Sequence, residues 1–267
     1  MEQFGIALLS QVPLRETISH ASEMVSQLLF GETFTVLEKY THWFRIRTDA
    51  DGYEAWVDSK QIQLVSKEQH QLWLSDTQAA FTLAPYNRIQ RTGDLSQFPV
   101  GMGCRLPVLE NGIFQTAETG FNAQDALMTA DKRQALTETE RREALLKSAA
   151  QWLNTPYLWG GKSIFGTDCS GFTQTLYRIY GIQLPRDAKD QAGAGEAVNF
   201  LDEAKPADLL FFDNENEQIV HVGIYMGNSR IIHASGMVRI DTIDHQGIYR
   251  QDIKNYSHKL RLIRRMF

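Results

Sequence analysis

The stretch TDCSGFTQTLYRIYG, residues 167–181, predicts a helix that carries a cysteine in its first turn. Four apolar side chains recur at helical spacing and form one stripe: Phe172, Leu176, Ile179 and Tyr180. Thr167 and Asp168 are favourable N-cap residues, and Gly181 favours the end of a helix. Cys169 is therefore expected at the helix N-terminus.

Two interpretations of Cys169 follow from that position. Free N–H groups and the positive end of the helix dipole favour a thiolate over a thiol, as a nucleophile requires. A small residue buried in a tight turn is the alternative, because free cysteines are commonly buried. The helix alone does not separate the two interpretations, and a nearby base would.

The segment VHVGIYMGNSRIIHAS, residues 220–235, offers two candidates for that base on a predicted hairpin. If Met226 pairs with Arg230, Gly223 lies opposite His233, and His221 and His233 become diagonal neighbours on one face. This register supplies a general base and a second histidine to orient it, as a Cys–His–polar triad needs. A slip of one residue would put the two histidines on opposite faces.

Composition limits the remaining classes of function. The chain has 267 residues, 43% hydrophobic and 22% charged, as expected for a globular protein with more than one domain. Its formal charge of −5 gives no support for binding to nucleic acid or to a membrane surface. Cys169 and the two histidines are possible zinc ligands, but no CxxC or HExxH spacing accompanies them, so no metal or other cofactor is expected.

The N-terminal half is predicted to be rich in strands and partly duplicated. FGETFTVLE (30–38) and MGCRLPVLE (102–110) align at one offset, which matches Gly31 with Gly103 and Val36 with Val108. WFRIR (43–47) and YEAWV (53–57) then predict a hairpin. This order resembles bacterial SH3-like domains, clearly in 1–66 and weakly in the second copy. Such modules bind peptides or cell-wall glycans, and a barrel without a ligand is the alternative.

The C-terminal part begins with an amphipathic helix predicted over 137–153, opened by a capping box of Thr137 and Glu140. Strands are predicted over 208–212, 219–226, 230–235 and 258–266. A cysteine-bearing helix packed on a later antiparallel sheet is an α+β arrangement. Cys104, in a predicted barrel strand, is expected to be a core residue.

The motifs of this part resemble one family in their order along the chain. DCSGF, PRDA, KPADLLFF, HVGIYMGN and IIHAS are similar to the motifs of NlpC/P60 cell-wall peptidases, which are papain-like cysteine enzymes, over about 140–267. The resemblance implies that Cys169 is the nucleophile, His221 the base and His233 its orienting partner. It implies two small all-β SH3-like barrels followed by an α+β papain-like catalytic domain, with domains at 1–66, 67–130 and 131–267.

Two SH3-like modules before such a domain resemble a subgroup that cleaves the γ-D-glutamyl bond to a diamino acid in murein peptides. That resemblance implies a substrate with a free N-terminal L-Ala, release of L-Ala-D-Glu, and a role in murein peptide recycling. The substrate-binding residues that it implies are Asp168, Ser170, Tyr157, Trp159, Glu54 and Tyr86. Asp168 is expected to pair with the substrate ammonium. Subgroup members often carry serine where this chain has Ala188, so one substrate hydrogen bond is in doubt.

The remaining expectations concern alternative functions, the alternative role of two aromatic residues, and the location and partners of the protein. The chain is alternatively a non-catalytic wall-binding protein, or a papain-like amidase or acyltransferase that acts on another bond. Core packing is the alternative role of Tyr157 and Trp159. The first residues, MEQFGIALLSQVPLRE, have no basic region, and their apolar run is too short for a signal peptide or a membrane span. This predicts a cytoplasmic protein, or a periplasmic one if a native signal has been replaced. No obligate protein partner is expected.

Overall fold

The structure is a computed structural model, described over residues 2–74, 79–94, 96–107, 109–110, 113–116, 119–123 and 127–267. Its contacts divide the chain into two compact units. One comprises residues 1–135 and 159–164, and the other comprises 136–158 and 165–267. Among the described helices, none is long and apolar enough to cross a membrane.

The N-terminal unit begins with one antiparallel sheet. Its elements are β1 (Gln3–Ile6), β2 (Gln11–Arg15), β3 (Met24–Leu29), β4 (Thr33–Tyr40), β5 (Trp43–Thr48), β6 (Glu54–Asp58), a 3₁₀ turn (Ser59–Gln61) and β7 (Gln63–Val65). The strand order is β3-β2-β6-β5-β4-β1-β7. Its core contains Val12, Leu14, Phe34, Ile46 and Val57. The hairpin predicted at 43–57 is confirmed, because β5 pairs with β6 from Trp43 opposite Asp58 to Arg47 opposite Glu54.

The rest of this unit consists of short elements. They are α1 (Lys67–Leu74), β8 (Ala80–Thr82), β9 (Tyr86–Arg91), β10 (Gln97–Gly101), β11 (Arg105–Leu106), β12 (Leu109–Glu110), β13 (Ile113–Gln115), β14 (Gly120–Ala123), β15 (Leu127–Met128), α2 (Ala130–Ala135) and β16 (Lys162–Ser163). One sheet has the order β10-β9-β14-β13-β12 and another the order β11-β8-β15. Cys104 is 1% exposed in the core of these strands, which confirms its predicted role.

The proposed duplication is visible at its glycines. Gly31 and Gly103 both have left-handed φ values, 82° and 85°. The strand that follows differs between the copies, since β4 is continuous whereas β11 and β12 are separate, and Val108 lies outside the described residues. The domain limits at 66 and 130 and the second barrel stay predictions.

The C-terminal unit combines helices with a sheet that closes on itself. Its elements are α3 (Glu138–Ala150), β17 (Gly166–Thr167), α4 (Cys169–Ile179), α5 (Ala188–Gln191), β18 (Glu196–Val198), a 3₁₀ turn (Leu201–Glu203), β19 (Leu209–Asp213), β20 (Ile219–Gly227), β21 (Arg230–Ser235), β22 (Met237–Ile243), β23 (Gly247–Arg250) and β24 (Asn255–Arg265). The order is β18-β24-β19-β20-β21-β22-β23, and β24 also pairs with β23. Strands β19 to β24 therefore form a closed barrel, and α4 packs on β20 and β21.

The predicted helices agree closely with this unit. The capping box of Thr137 and Glu140 opens α3, and Asp168 caps α4. The apolar stripe of α4 is buried, and so are most of its polar residues. The hairpin turn was predicted one residue too early: Gly227, not Met226, pairs with Arg230. A bulge between Tyr225 and Gly227 restores the predicted pair of Gly223 and His233. Strands β22 and β23 were not predicted.

Close packing at Gly31 gives a first prediction. A Cβ at Gly31 would overlap the carbonyl oxygen of Arg105, whereas Gly52, which has a similar φ of 71°, has nothing within 4 Å of its Cβ position. Gly52→Ala should lose only the backbone strain term, about 1–3 kcal/mol. Gly31→Ala should lose distinctly more, because its clash involves backbone that cannot rotate away. Equal urea-unfolding free energies for the two variants would contradict this packing.

Candidate active site

Cys169 is the first residue of α4 and lies against β20. It is 6% exposed, and its sulfur accepts hydrogen bonds from the backbone N–H groups of Val222 and Ser170. Val222 directly follows His221, so the contact brings the predicted nucleophile to the strand that carries the predicted base. Cys169 is therefore a buried cysteine next to the strand that carries His221.

Burial raises the pKa of the Cys169 thiol to about 12, and the carboxylate of Asp168 acts in the same direction. The two backbone N–H groups and the guanidinium of Arg186 oppose this rise without cancelling it. The helix end does favour the thiolate, but desolvation of the charged form outweighs it.

The two histidines are in direct contact. His221 Nε2 and His233 Nδ1 are 2.8 Å apart, and both rings are buried, which confirms that they share one face of the hairpin. Burial, with His233 and His258 nearby, holds the pKa of His221 well below its usual range. Burial also lowers the pKa of His233. Both imidazoles are therefore neutral near pH 7, and each has one donor and one acceptor nitrogen.

Asp241, which the sequence analysis did not identify, determines which ring nitrogen of His233 and of His221 carries the proton. Its carboxylate lies 3.0 Å from His233 Nε2 and pairs with Arg239. Burial acts to raise the pKa of Asp241, but the bonds from His233 and Arg239 outweigh it and leave the pKa low. The ionised carboxylate only accepts, so His233 Nε2 carries a proton and Nδ1 is an acceptor. His221 Nε2 then donates to it, which leaves His221 Nδ1 as a free base.

His258 is a further residue that sequence reasoning missed. Its ring stacks on His221 with centroids 4.2 Å apart, and it also contacts the edge of His233. Burial lowers its pKa to about 4, so a third neutral ring covers the base. Its position on β24, the last strand, gave no local signal of this contact.

The substrate residues predicted around Cys169 form a polar cluster. Arg186 binds Asp168 through two hydrogen bonds, of 3.1 and 2.5 Å, and donates to Ser170 Oγ at 2.9 Å. The Asp168 carboxylate also accepts from the backbone of Gly171. Tyr157 is half-buried, and burial raises the pKa of its hydroxyl, with Cys169 and Asp168 acting in the same direction. The carboxylate expected to await an ammonium is therefore already paired with Arg186.

The other predicted substrate residues belong to the N-terminal unit. Trp159 is 61% exposed, and its indole N–H donates to Glu23. Glu54 begins β6 and pairs with Arg45 on an exposed surface, whereas Tyr86 begins β9 and is 52% exposed. Their contribution to a substrate pocket stays a prediction.

Similarity to known proteins agrees with this geometry. The NlpC/P60 family model matches residues 154–256, and the model of the bacterial dipeptidyl-peptidase SH3 domain matches residues 14–62. The gamma-D-glutamyl-L-lysine dipeptidyl-peptidase of Bacillus subtilis (strain 168) is 32% identical over 226 residues, which are 78% of this chain and 71% of that protein. The chain belongs to the NlpC/P60 family. It is a peptidase, and the resemblance seen in its motifs is confirmed.

Two further NlpC/P60 comparisons extend over most of the chain. The protein of the same name from Bacillus cereus (strain ATCC 10987 / NRS 248) is 28% identical over 235 residues, covering 81% of this chain and 69% of that protein. A crystal structure of an NlpC/P60 family protein from Bacillus cereus ATCC 10987 matches with a TM-score of 0.80 at 20% identity, covering 98% of this chain and 99% of that one. The structural match supports the fold, an SH3-like N-terminal domain with an NlpC/P60 domain. The papain-like description and the second barrel stay predictions.

The proton arrangement gives a second prediction. Asp241→Asn should lower kcat strongly with little change in KM, because an amide no longer fixes the tautomer of His233; the corresponding change in a Ser–His–Asp triad costs about 10⁴-fold in kcat. Asp252→Asn is the matched control, because Asp252 also pairs with Arg239 but is exposed. A loss of activity in both variants, or a change confined to KM, would contradict the assignment.

The raised pKa of Cys169 gives a third prediction. The thiolate fraction, and with it the rate of alkylation by iodoacetamide, should keep rising through pH 9, without a plateau near neutrality. Asp168→Asn removes a negative charge that raises the thiol pKa, so the variant should be alkylated faster at each pH. Cys169→Ala identifies background labelling at Cys104 by peptide mass analysis. A plateau below pH 8 in the wild type would contradict the prediction.

Proposed function

We propose that this NlpC/P60 peptidase hydrolyses the γ-D-glutamyl bond to a diamino acid in murein peptides that have a free N-terminal L-Ala, releasing L-Ala-D-Glu. The observation that carries the proposal is the buried carboxylate of Asp168 directly beside Cys169. Relatives at 32% and 28% identity are named gamma-D-glutamyl-L-lysine dipeptidyl-peptidases, which supports the choice of bond.

The catalytic steps follow from the positions of the protons. His221 Nδ1 takes the proton of the Cys169 thiol as the sulfur attacks the γ-carbonyl carbon. Backbone N–H groups at the start of α4 stabilise the oxyanion. His221 then returns the proton to the leaving amine of the diamino acid, and the C–N bond breaks to leave a thioester. Water, deprotonated by His221, hydrolyses the thioester and restores the thiol.

The resting pair is neutral, which shapes the first step. With a thiol pKa of about 12 and the pKa of His221 well below its usual range, proton transfer without substrate is strongly uphill. Transfer therefore accompanies attack, when negative charge moves from sulfur to the carbonyl oxygen. In this scheme His233 and Asp241 fix Nδ1 as the nitrogen of His221 that takes up and returns the proton.

Specificity for a free N-terminus rests on charge. Asp168 and Arg186 are both buried and paired, and a carboxylate can accept more hydrogen bonds than the two that the guanidinium donates, so the substrate ammonium would bind Asp168 alongside Arg186. Tyr157 and Ser170 border the same carboxylate and supply hydroxyl groups for the peptide. An N-acyl group removes the positive charge and adds bulk, and polar sites reject such analogues strongly.

This specificity separates released peptides from the intact wall. In the wall, the L-Ala nitrogen is acylated by a muramyl lactyl group and carries no charge. The proposed substrate is therefore a peptide already freed from its sugar, which supports a role in murein peptide recycling. The same assay distinguishes lysine from diaminopimelate as the third residue of the substrate.

The fourth prediction tests the proposed reaction. The enzyme is incubated with L-Ala-γ-D-Glu-L-Lys and L-Ala-γ-D-Glu-diaminopimelate, each free and N-acetylated, and the products are identified by mass spectrometry. We expect L-Ala-D-Glu from the free peptides, strongly reduced cleavage of the acetylated ones, and no turnover by Cys169→Ala. Asp168→Asn, which keeps a capping side chain, should lose most of the rate and the preference for a free N-terminus. Equal cleavage of free and acetylated peptides by the wild type would overturn the proposed specificity.

A further inference from the structure

A second group of ligand-type side chains lies in the N-terminal unit. His20, His42 and Asp58 each place one donor atom within 4.8 Å of the other two. They come from the turn between β2 and β3, the turn between β4 and β5, and the end of β6. We propose that these three side chains bind one divalent transition-metal ion of the class that prefers imidazole nitrogen, such as Zn²⁺.

Asp58 is the fixed ligand of this group. The residue is only 5% exposed, and one carboxylate oxygen accepts the Lys60 N–H at 3.0 Å as the cap of the 3₁₀ turn. Its other oxygen, Oδ2, lies 3.6 Å from His20 Nε2, which is longer than a hydrogen bond. The hydrogen bond from Lys60 therefore fixes the buried Asp58 carboxylate, and its Oδ2 faces the His20 imidazole without a direct hydrogen bond to it.

The two imidazoles are held on a common support. His20 and His42 both pack on Trp43, with ring centroids 4.9 and 5.7 Å from the indole, and Trp43 is 5% exposed. Trp43 pairs with Asp58 in the β5–β6 ladder, and the carbonyl of His42 accepts the N–H of Ser59 at 2.8 Å. His42 and Asp58 thus come from directly paired backbone, and His20 packs over them from the β2–β3 turn.

The donor set decides the class of ion. Two imidazole nitrogens and one carboxylate oxygen suit Zn²⁺, Co²⁺, Ni²⁺ or Cu²⁺, whereas Mg²⁺ and Ca²⁺ prefer oxygen ligands. Ligands of tetrahedral Zn²⁺ lie about 2.0–2.1 Å from the metal, so a small rotation of the rings must draw the donor atoms closer. Such a rotation is inexpensive here because the His20 side chain is 71% exposed. Water completes the coordination.

The bound ion would cross-link three connections of the first sheet. His20 lies in the segment between Arg15 and Met24, which is otherwise tied by local hydrogen bonds such as Glu16 N–H to the Glu23 carbonyl. An ion that binds only the folded unit stabilises it by mass action. The effect on stability is separate from catalysis, and the proposal does not depend on the proposed substrate.

The fifth prediction tests the site by calorimetric titration of the full chain, free of any tag. Cys169→Ala is the background, because Cys169 and His221 are themselves zinc-type ligands. We expect about one equivalent of Zn²⁺ to bind, no response to Mg²⁺, and a rise in Tm with Zn²⁺. Adding His20→Ala or His42→Ala should each weaken binding at least about tenfold and remove the Tm rise. His245→Ala, which removes another exposed histidine, should leave both unchanged.

One further variant and two contrary results complete the test. Asp58→Asn keeps an oxygen for the Lys60 N–H while it removes the charged ligand, so it should weaken binding without unfolding the unit. Zn²⁺ binding that survives both histidine substitutions would overturn the proposal. Absence of Zn²⁺ binding would reduce the cluster to the pair of His20 and Asp58 and would overturn the proposal as well.

Discussion

The antiparallel register of β20, β21 and β22 determines the proton arrangement on which the proposed catalytic site depends. Gly223 lies opposite His233, and His233 lies opposite Arg239. Two residues farther along each neighbouring strand, His221 and Asp241 fall diagonally beside His233 on the same face. One register therefore aligns base, orienting histidine and carboxylate. A shift by a single residue would send the side chains of one strand to the other face.

Gly223 makes this alignment possible. A Cβ at that position would meet the Cβ of His233 at 2.8 Å and the side chain of Ile231 at 2.7 Å. Without it, the His233 ring has room to reach the imidazole of His221. The contact between His221 and His233 therefore requires a glycine at position 223 as well as the two histidines.

A buried hydrogen-bond network holds the helix that carries Cys169, the proposed nucleophile. Gln191 donates to the carbonyls of Ser170 and Pro185, and Thr173 donates to Gln191, so the segment before α5 is bound to α4. This brings Arg186 onto Asp168 in the core of the unit. Buried ion pairs are costly to break once formed, because either partner alone is left desolvated. The carboxylate of Asp168, beside Cys169, is therefore held as firmly as the side chains of the apolar core.

The parts of the fold predicted correctly are those governed by neighbours in sequence. The caps of α3 and α4 depend on residues within one turn, and the facing of His221 and His233 depends on strand alternation. The predicted position of the hairpin turn was wrong because a β-bulge between Tyr225 and Gly227 adds one residue to β20. Asp241 was not predicted because strand β22 itself was not predicted, and His258 was not predicted because it reaches the site through the pairing of β24 with β19, which are distant in sequence. Arg186 lies within the PRDA motif, but its pairing with Asp168 depends on the tertiary fold.

The neutral thiol also bears on chemical durability. Peroxide attacks thiolates, and the resulting sulfenic acid proceeds to irreversible states under stronger oxidation. A cysteine kept protonated by burial and by an adjacent carboxylate is a poor target for oxidants while the site is idle. Its nucleophilicity develops only as a substrate carbonyl accepts the charge. In the proposed mechanism, the arrangement that makes the first catalytic step depend on substrate also protects the enzyme from oxidation between turnovers.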